Sequence, residues 1–118
     1  MIEVAKQIPA SLQHTCVIAT WASMANGDDG EPIELANFAD RSVQVTGTFG
    51  AGGSVRIEGS NDGVNYAPLT DPQGNNLDIL SAKIEAISEV VRYIRPRVTA
   101  GDGTTAITVC MLLKGAAR

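Results

Sequence analysis

The residues of this chain that could carry chemistry are few, and their spacing argues against it. His14 is the one histidine, so there is no second imidazole to complete a metal pair or to serve a nucleophile. Cys16 sits in an apolar run with no basic neighbour inside it, the opposite of the electropositive setting that lowers a thiol pKa. Asp28, Asp29 and Glu31 crowd the segment NGDDGEP at 26–32, yet they lack the alternating ligand spacing of a calcium loop. Adjacent carboxylates in a turn point apart and do not share a proton, and a solvated turn is expected there. The glycines of 47–63 are not followed by the Gly-Lys-Ser/Thr of a phosphate loop, and no helix starts where an anion would need one. No catalytic residue, metal site or cofactor is expected, and the chain reads as a non-enzyme.

Composition narrows the partners. The 118 residues make one domain, 44% hydrophobic and 19% charged, which is globular rather than disordered. The aromatics are two Phe, two Tyr and Trp21, so the core must be mainly aliphatic. Trp21 is expected inside it. A formal charge of −4 opposes a phosphate-binding surface, because nucleic-acid affinity comes from clustered Lys and Arg. No run suits a membrane span or a signal peptide, so neither nucleic acid nor membrane is an expected partner and synthesis in a cytoplasm is expected. Cys16 and Cys110 are expected as free thiols in that compartment, although neighbouring first and last strands would permit a disulfide.

The elements are read from period and punctuation. Val43, Val45 and Phe49 alternate with Gln44, Thr46 and Thr48, and Val55 and Ile57 with Ser54, Arg56 and Glu58. Each run fits a strand with one wet face, and the glycines between them suggest an antiparallel hairpin. Asn61-Asp62-Gly63 marks a tight turn before a third strand at 66–69. Residues 16–22 form a strand with Val17, Ala19 and Trp21 on one side. Leu35 and Phe38 are expected to plug the core from the connector at 34–40. Asp71-Pro72-Gln73-Gly74 fits a type I turn before a short strand at 77–80. Ser81 can cap a helix of at most two turns over 81–89, with Ile84 and Ile87 at helical spacing.

Residues 90–99 form a strand on which Tyr93, Arg95 and Arg97 share one face and Ile94, Pro96 and Val98 the other. Pro96 cannot donate to a ladder, so this strand lies at an edge or bulges. It is expected to pair with 106–114 across Gly101-Asp102-Gly103. The fold class is therefore all-β: a two-sheet antiparallel β-sandwich of jelly-roll type with one short helix, residues 15–118, preceded by an N-terminal arm, residues 1–14. A small barrel is the alternative.

The run from Ala39 to Leu77, with its GSNDG and DPQGN turns, followed by RYIRPRVTAGDGTTAITVCML, resembles a group of small structural proteins of tailed bacteriophages similar to capsid decoration, or cement, proteins. The resemblance covers residues 37–113. It implies a virion protein on the capsid exterior that ties neighbouring major capsid protein subunits together, with no active site to carry over. IEGSNDGVNY and RYIRPRV are also similar to signatures of discoidin-type sandwiches, although that family's early aromatic loop is missing. A carbohydrate-binding or accessory β-sandwich module of the phage tail is the alternative from a different class.

Contact residues follow from what the domain leaves over. Ile2, Val4, Ile8 and Leu12 of the arm have no evident partner in the strands and are expected to order against a neighbour. Tyr93, Arg95 and Arg97 make a cationic and aromatic cluster on an acidic protein, in the residue types that interfaces favour. The competing reading is a solvated edge whose charges prevent stray pairing. Self-association as a homodimer or homotrimer around a lattice symmetry axis would supply valency.

Overall fold

The computed structural model describes residues 1–9 and 15–115. Nine strands are present: β1 (Ala5–Gln7), β2 (Cys16–Met24), β3 (Asp40–Thr48), β4 (Ser54–Ser60), β5 (Ala67–Pro68), β6 (Asp78–Ile79), β7 (Lys83–Ile87), β8 (Tyr93–Ala100) and β9 (Ala106–Lys114). They form two antiparallel sheets. The larger has the order β1-β2-β9-β3-β7, and in the smaller β4 pairs with β5 and β6 on one side and β8 on the other.

Period-two alternation decides which side chains meet between the sheets. Val43 and Val45 of β3, Ile107, Val109, Met111 and Leu113 of β9, and Val55 and Ile57 of β4 are all fully buried, as their alternation requires. Ala19 and Trp21 join them from β2. A bulge between Trp21 and Met24 puts both of these side chains inside although they are three residues apart. Trp21 donates its indole N–H to the Glu31 carbonyl at 2.9 Å, so its polar atom is satisfied. Leu35 and Phe38 pack against the core from the connector, as expected.

Three expectations about pairing are corrected. First, 81–89 is not a helix, and there is no helix among the described residues. Lys83–Ile87 is strand β7, paired to β3 from Arg41↔Ile87 to Val45↔Lys83. Two turns of helix cannot stand without tertiary contacts, whereas the open edge of β3 offers a ladder, with Ile87 inward and Ile84 outward. Second, β3 and β4 do not form a hairpin, because the chain crosses from one sheet to the other at residues 49–53. A Cβ on Gly53 would lie 1.9 Å from the Phe49 carbonyl oxygen, a corner closed to any other residue. Third, β8 and β9 do not pair with each other. β9 runs up the centre of the larger sheet between β2 and β3, and β8 belongs to the smaller one.

The two crossings lie side by side and are tied together. Asp102 Oδ2 accepts the Ala51 N–H at 2.8 Å, and Thr105 Oγ1 donates to the Phe49 carbonyl at 2.8 Å. At the other end, Arg41 is buried. Its guanidinium donates to the carbonyls of Phe38, Leu35 and Val91, and burial lowers its pKa.

Pro96 lies where its missing N–H costs no ladder bond with β4. Ile94 and Val98 donate to the carbonyls of Ile33 and Asp28, so the even positions of β8 face the irregular segment at 28–33, and Pro96 only accepts there, from Gly30. Cys16 and Cys110 are free thiols. Their strands are neighbours, but Cys16 lies opposite Lys114 and Cys110 opposite Thr20, too far apart along the ladder for a disulfide.

Candidate interaction face

The outward residues of β4 and β8 make one polar face, since Val55, Ile57, Ile94 and Val98 take the inward positions. Register sets Glu58 opposite Arg95, Arg56 opposite Arg97, and Ser60 opposite Tyr93. Glu58 is the hub, with its side chain 5% exposed. Both Nε and Nη2 of Arg95 lie 3.2 Å from its Oε1, while Arg97 and Arg56 approach its Oε2 at 3.9 and 4.0 Å. A carboxylate buried to this degree requires several donors to offset its lost hydration.

Two flanking acids balance the other arginines. Arg56 Nε donates to Asp78 Oδ1 at 3.0 Å. Arg97 Nε is 3.2 Å from Asp29 Oδ1, an ion pair by distance whose angle does not make a directed hydrogen bond. Arg97 is half exposed, so the pair itself adds little stability.

The aromatic residues lie at the β5 end. The Arg95 guanidinium carbon is 3.9 Å from the Tyr66 ring centroid, a close cation–π contact. Burial raises the Tyr66 pKa against the opposing pull of Arg95, keeping the phenol a hydrogen-bond donor. Arg92 lies 5.1 Å from the Tyr93 centroid and pairs with Glu34 at 2.5 Å, which raises its pKa. The loop after β4 closes against this set. Asp62 Oδ1 accepts from the Ser60 hydroxyl and the amides of Val64 and Asn65, each at 2.8 Å. Hydrogen bonds from this loop, the Asn65 amide first, hold the Asp62 carboxyl well below the usual range. Gly63 turns there with φ +78°. A Cβ on it would lie 3.1 Å from Tyr93.

Of the residues singled out from sequence, Tyr93, Arg95 and Arg97 do share this face. Ile2 and Val4 instead pack against this chain's own core. Ile2 bridges Gly30, with its N–H on the Asp29 carbonyl at 2.8 Å, and Val4 N–H donates to Glu31 Oε1 at 3.0 Å. Residues 5–7 add β1 to the larger sheet. Ile8 is 50% exposed, and Leu12 and His14 lie outside the described residues. Glu58 and Arg56 went unseen because only the β4–β8 pairing brings them to Arg95 and Arg97, and Tyr66 because only the β4–β5 pairing returns it beside Arg95.

The face offers guanidinium donors beside aromatic rings, with the arginine charges balanced by Glu58, Asp78, Asp29 and Glu34. Among the described residues, no cluster of His, Cys, Asp and Glu is placed to hold a metal ion, and no helix is long and apolar enough to cross a membrane. No protein family, curated protein or solved structure matches the chain.

Proposed function

We propose that this protein is a non-enzymatic decoration protein of a tailed-bacteriophage head, which binds the capsid exterior through the β4–β8 face and links major capsid protein subunits. The observation that carries this reading is the Arg95–Tyr66 stack anchored on Glu58. It is a preordered surface of guanidinium donors beside aromatic rings, its arginines balanced by Glu58, Asp78 and Asp29. Such residues bury large flat area at little further entropic cost.

Strand order supports a jelly-roll reading of the fold. The larger sheet contains β2-β9-β3-β7, and the smaller sheet has the segment at 28–33 beside β8, then β4, then β5 and β6. With the bridged segment at 28–33 counted as one strand and β5 and β6 together as another, we read this order as two interleaved Greek keys, an architecture used for virion and lectin domains. It also favours a second reading, a carbohydrate-binding or accessory module of the tail, since Tyr66 and Tyr93 border a loop rich in Asn and Asp. Against that reading, each ring already has a guanidinium over one face, and the Asp62 oxygens are taken by their own loop.

The test uses shells assembled from the major capsid protein of the same genome. Wild-type protein should bind them saturably, and the double variant R95A/R97A, at matched stability, should lose most of the occupancy. Full occupancy by that variant removes the face from the contact. Failure to bind shells together with saturable glycan binding favours the tail module.

A further inference from the structure

The opposite side of the molecule carries a second surface of a different kind. On the outward register positions of β1, β2, β9, β3 and β7, Asp40 and Lys114 are the only charged residues among those described. They lie opposite each other at one end of the sheet. The middle of the face is uncharged, its apolar residues interleaved with Thr20, Ser42 and Gln44. Ile18, Cys110, Leu112 and Ile84, with Ser42 and Gln44, line a groove of about 300 Å³. Leu112 is 41% and Ile84 63% exposed.

We infer that this face is the contact between two copies of the chain, packed sheet to sheet about a two-fold axis. Charge selects the occupant. The chain carries −4, so two copies repel through most pairs of surfaces, but this face is neutral and can meet itself without like charges opposed. Shape agrees. An isologous contact needs a projection and a recess exchanged about the axis. Leu112 projects beside the groove floored by Cys110, two residues along the same strand and about 7 Å away. Leu112 of each copy therefore fills the groove of the other. Area is sufficient as well: three nine-residue strands and two short ones cover roughly 550 Å² in projection. Side-chain relief brings the accessible area toward the roughly 800 Å² per partner of a standard interface.

The strand order places a reporter at the centre. β9 is the third of five strands and Cys110 the fifth of its nine residues, so the two Cys110 thiols flank the axis of the dimer. The dimer also turns both arginine–tyrosine faces outward, although the test needs only the purified chain and stands apart from the lattice reading.

Sedimentation equilibrium of wild-type protein should give twice the 12.3 kDa chain mass. Leu112→Glu should weaken the dimer at least about a hundredfold by opposing two buried charges, with Trp21 fluorescence unchanged. Should that variant fail to fold, Ile84→Glu on the edge strand serves in its place. A bismaleimide of about 10 Å span, matched to the spacing of packed sheets, should cross-link wild type and Cys16→Ser but not Cys110→Ser. Wild-type protein that is monomeric at millimolar concentration, a dimer unchanged by both charge substitutions, or cross-linking that ignores Cys110 would each overturn the inference. So would a monomer whose Leu112→Glu variant loses binding to another macromolecule.

Discussion

The guanidinium of Arg95 has a ring over its face and a carboxylate at its edge: it lies 3.9 Å from the Tyr66 centroid while two of its nitrogens reach Glu58 at 3.2 Å. A side chain that would otherwise sample many rotamers is thereby fixed flat on the surface. Glu58 holds it there from a buried position on β4, with Arg56 and Arg97 as further partners.

Glu58→Ala should therefore destabilise the protein by about 1–3 kcal/mol, less than for a fully buried ion pair because the orphaned arginines reach water. Urea unfolding measures the cost. Tyr66, relieved of its ordered cation, should titrate differently when followed by ultraviolet absorbance. A neutral substitution with unchanged Tyr66 titration would mean that Glu58 does not organise the face.

Val45 of the larger sheet and Ile57 of the smaller are both fully buried in the core between them. Truncating either to Ala should cost about 2–4 kcal/mol through lost burial and the cavity left behind. A nearly unchanged urea midpoint for either variant would place that side chain on the outer face instead.

Gly30 has no room for a side chain: an added Cβ would lie 2.7 Å from Pro96 Cδ and 2.9 Å from Trp21 Cδ1. Gly30→Ala should destabilise by about 1–3 kcal/mol by overpacking and should shift the emission of the lone tryptophan. Wild-type stability and an unaltered spectrum would contradict the wedge of Gly30 between Trp21 and Pro96.

These contacts show what alternation reveals and what it conceals. The inward positions of β2, β3, β4 and β9 were legible, because a period of two assigns each side chain to a face whatever strand lies alongside. For the same reason it is silent on neighbours. The five residues from Phe49 to Gly53 suit a hairpin turn and a crossing between sheets equally well, and only the assembled ladders distinguish them. Ile84 and Ile87, three apart, satisfy a helix face and also an edge strand with one residue in and one out. The arginines of β8 were legible as a cluster, but their anchor Glu58 was not, since finding it requires the β4–β8 pairing. Ile2 and Val4 lie against a cleft formed by residues 29–31, which no sequence period announces.

The tie between the two crossings should be acid-sensitive. Hydrogen bonds to Asp102, from the Thr104 hydroxyl first and then the Ala51 and Thr104 amides, lower its pKa from 3.8 to about 2. A carboxylate with a depressed folded pKa stabilises fully above its unfolded pKa and loses that contribution as pH falls through the folded one. The urea midpoint should hold down to about pH 4 and then decline toward about pH 2, with Asp62 contributing in the same direction. Asp102→Ala should lie below wild type at neutral pH, and the gap should narrow on acidification. A gap that stays constant would assign the loss to other groups.

Valency connects the two faces. On the proposed reading, weak contacts through one β4–β8 face would gain from repetition on a lattice, and the inferred two-copy unit would double them at high effective concentration. Arg97→Ala in the dimer should therefore weaken shell binding more steeply than in the Leu112→Glu monomer, a difference that binding isotherms on identical shells would read out. Equal losses would mean that each copy binds alone.

The proposed place of this chain on a tailed-phage head is most directly tested by electron cryomicroscopy of virions made by the genome that encodes it. The account predicts sandwich-shaped density on the head exterior, with the Arg95 and Tyr66 face seated against major capsid protein. An undecorated head, or the same density found on the tail, would contradict it.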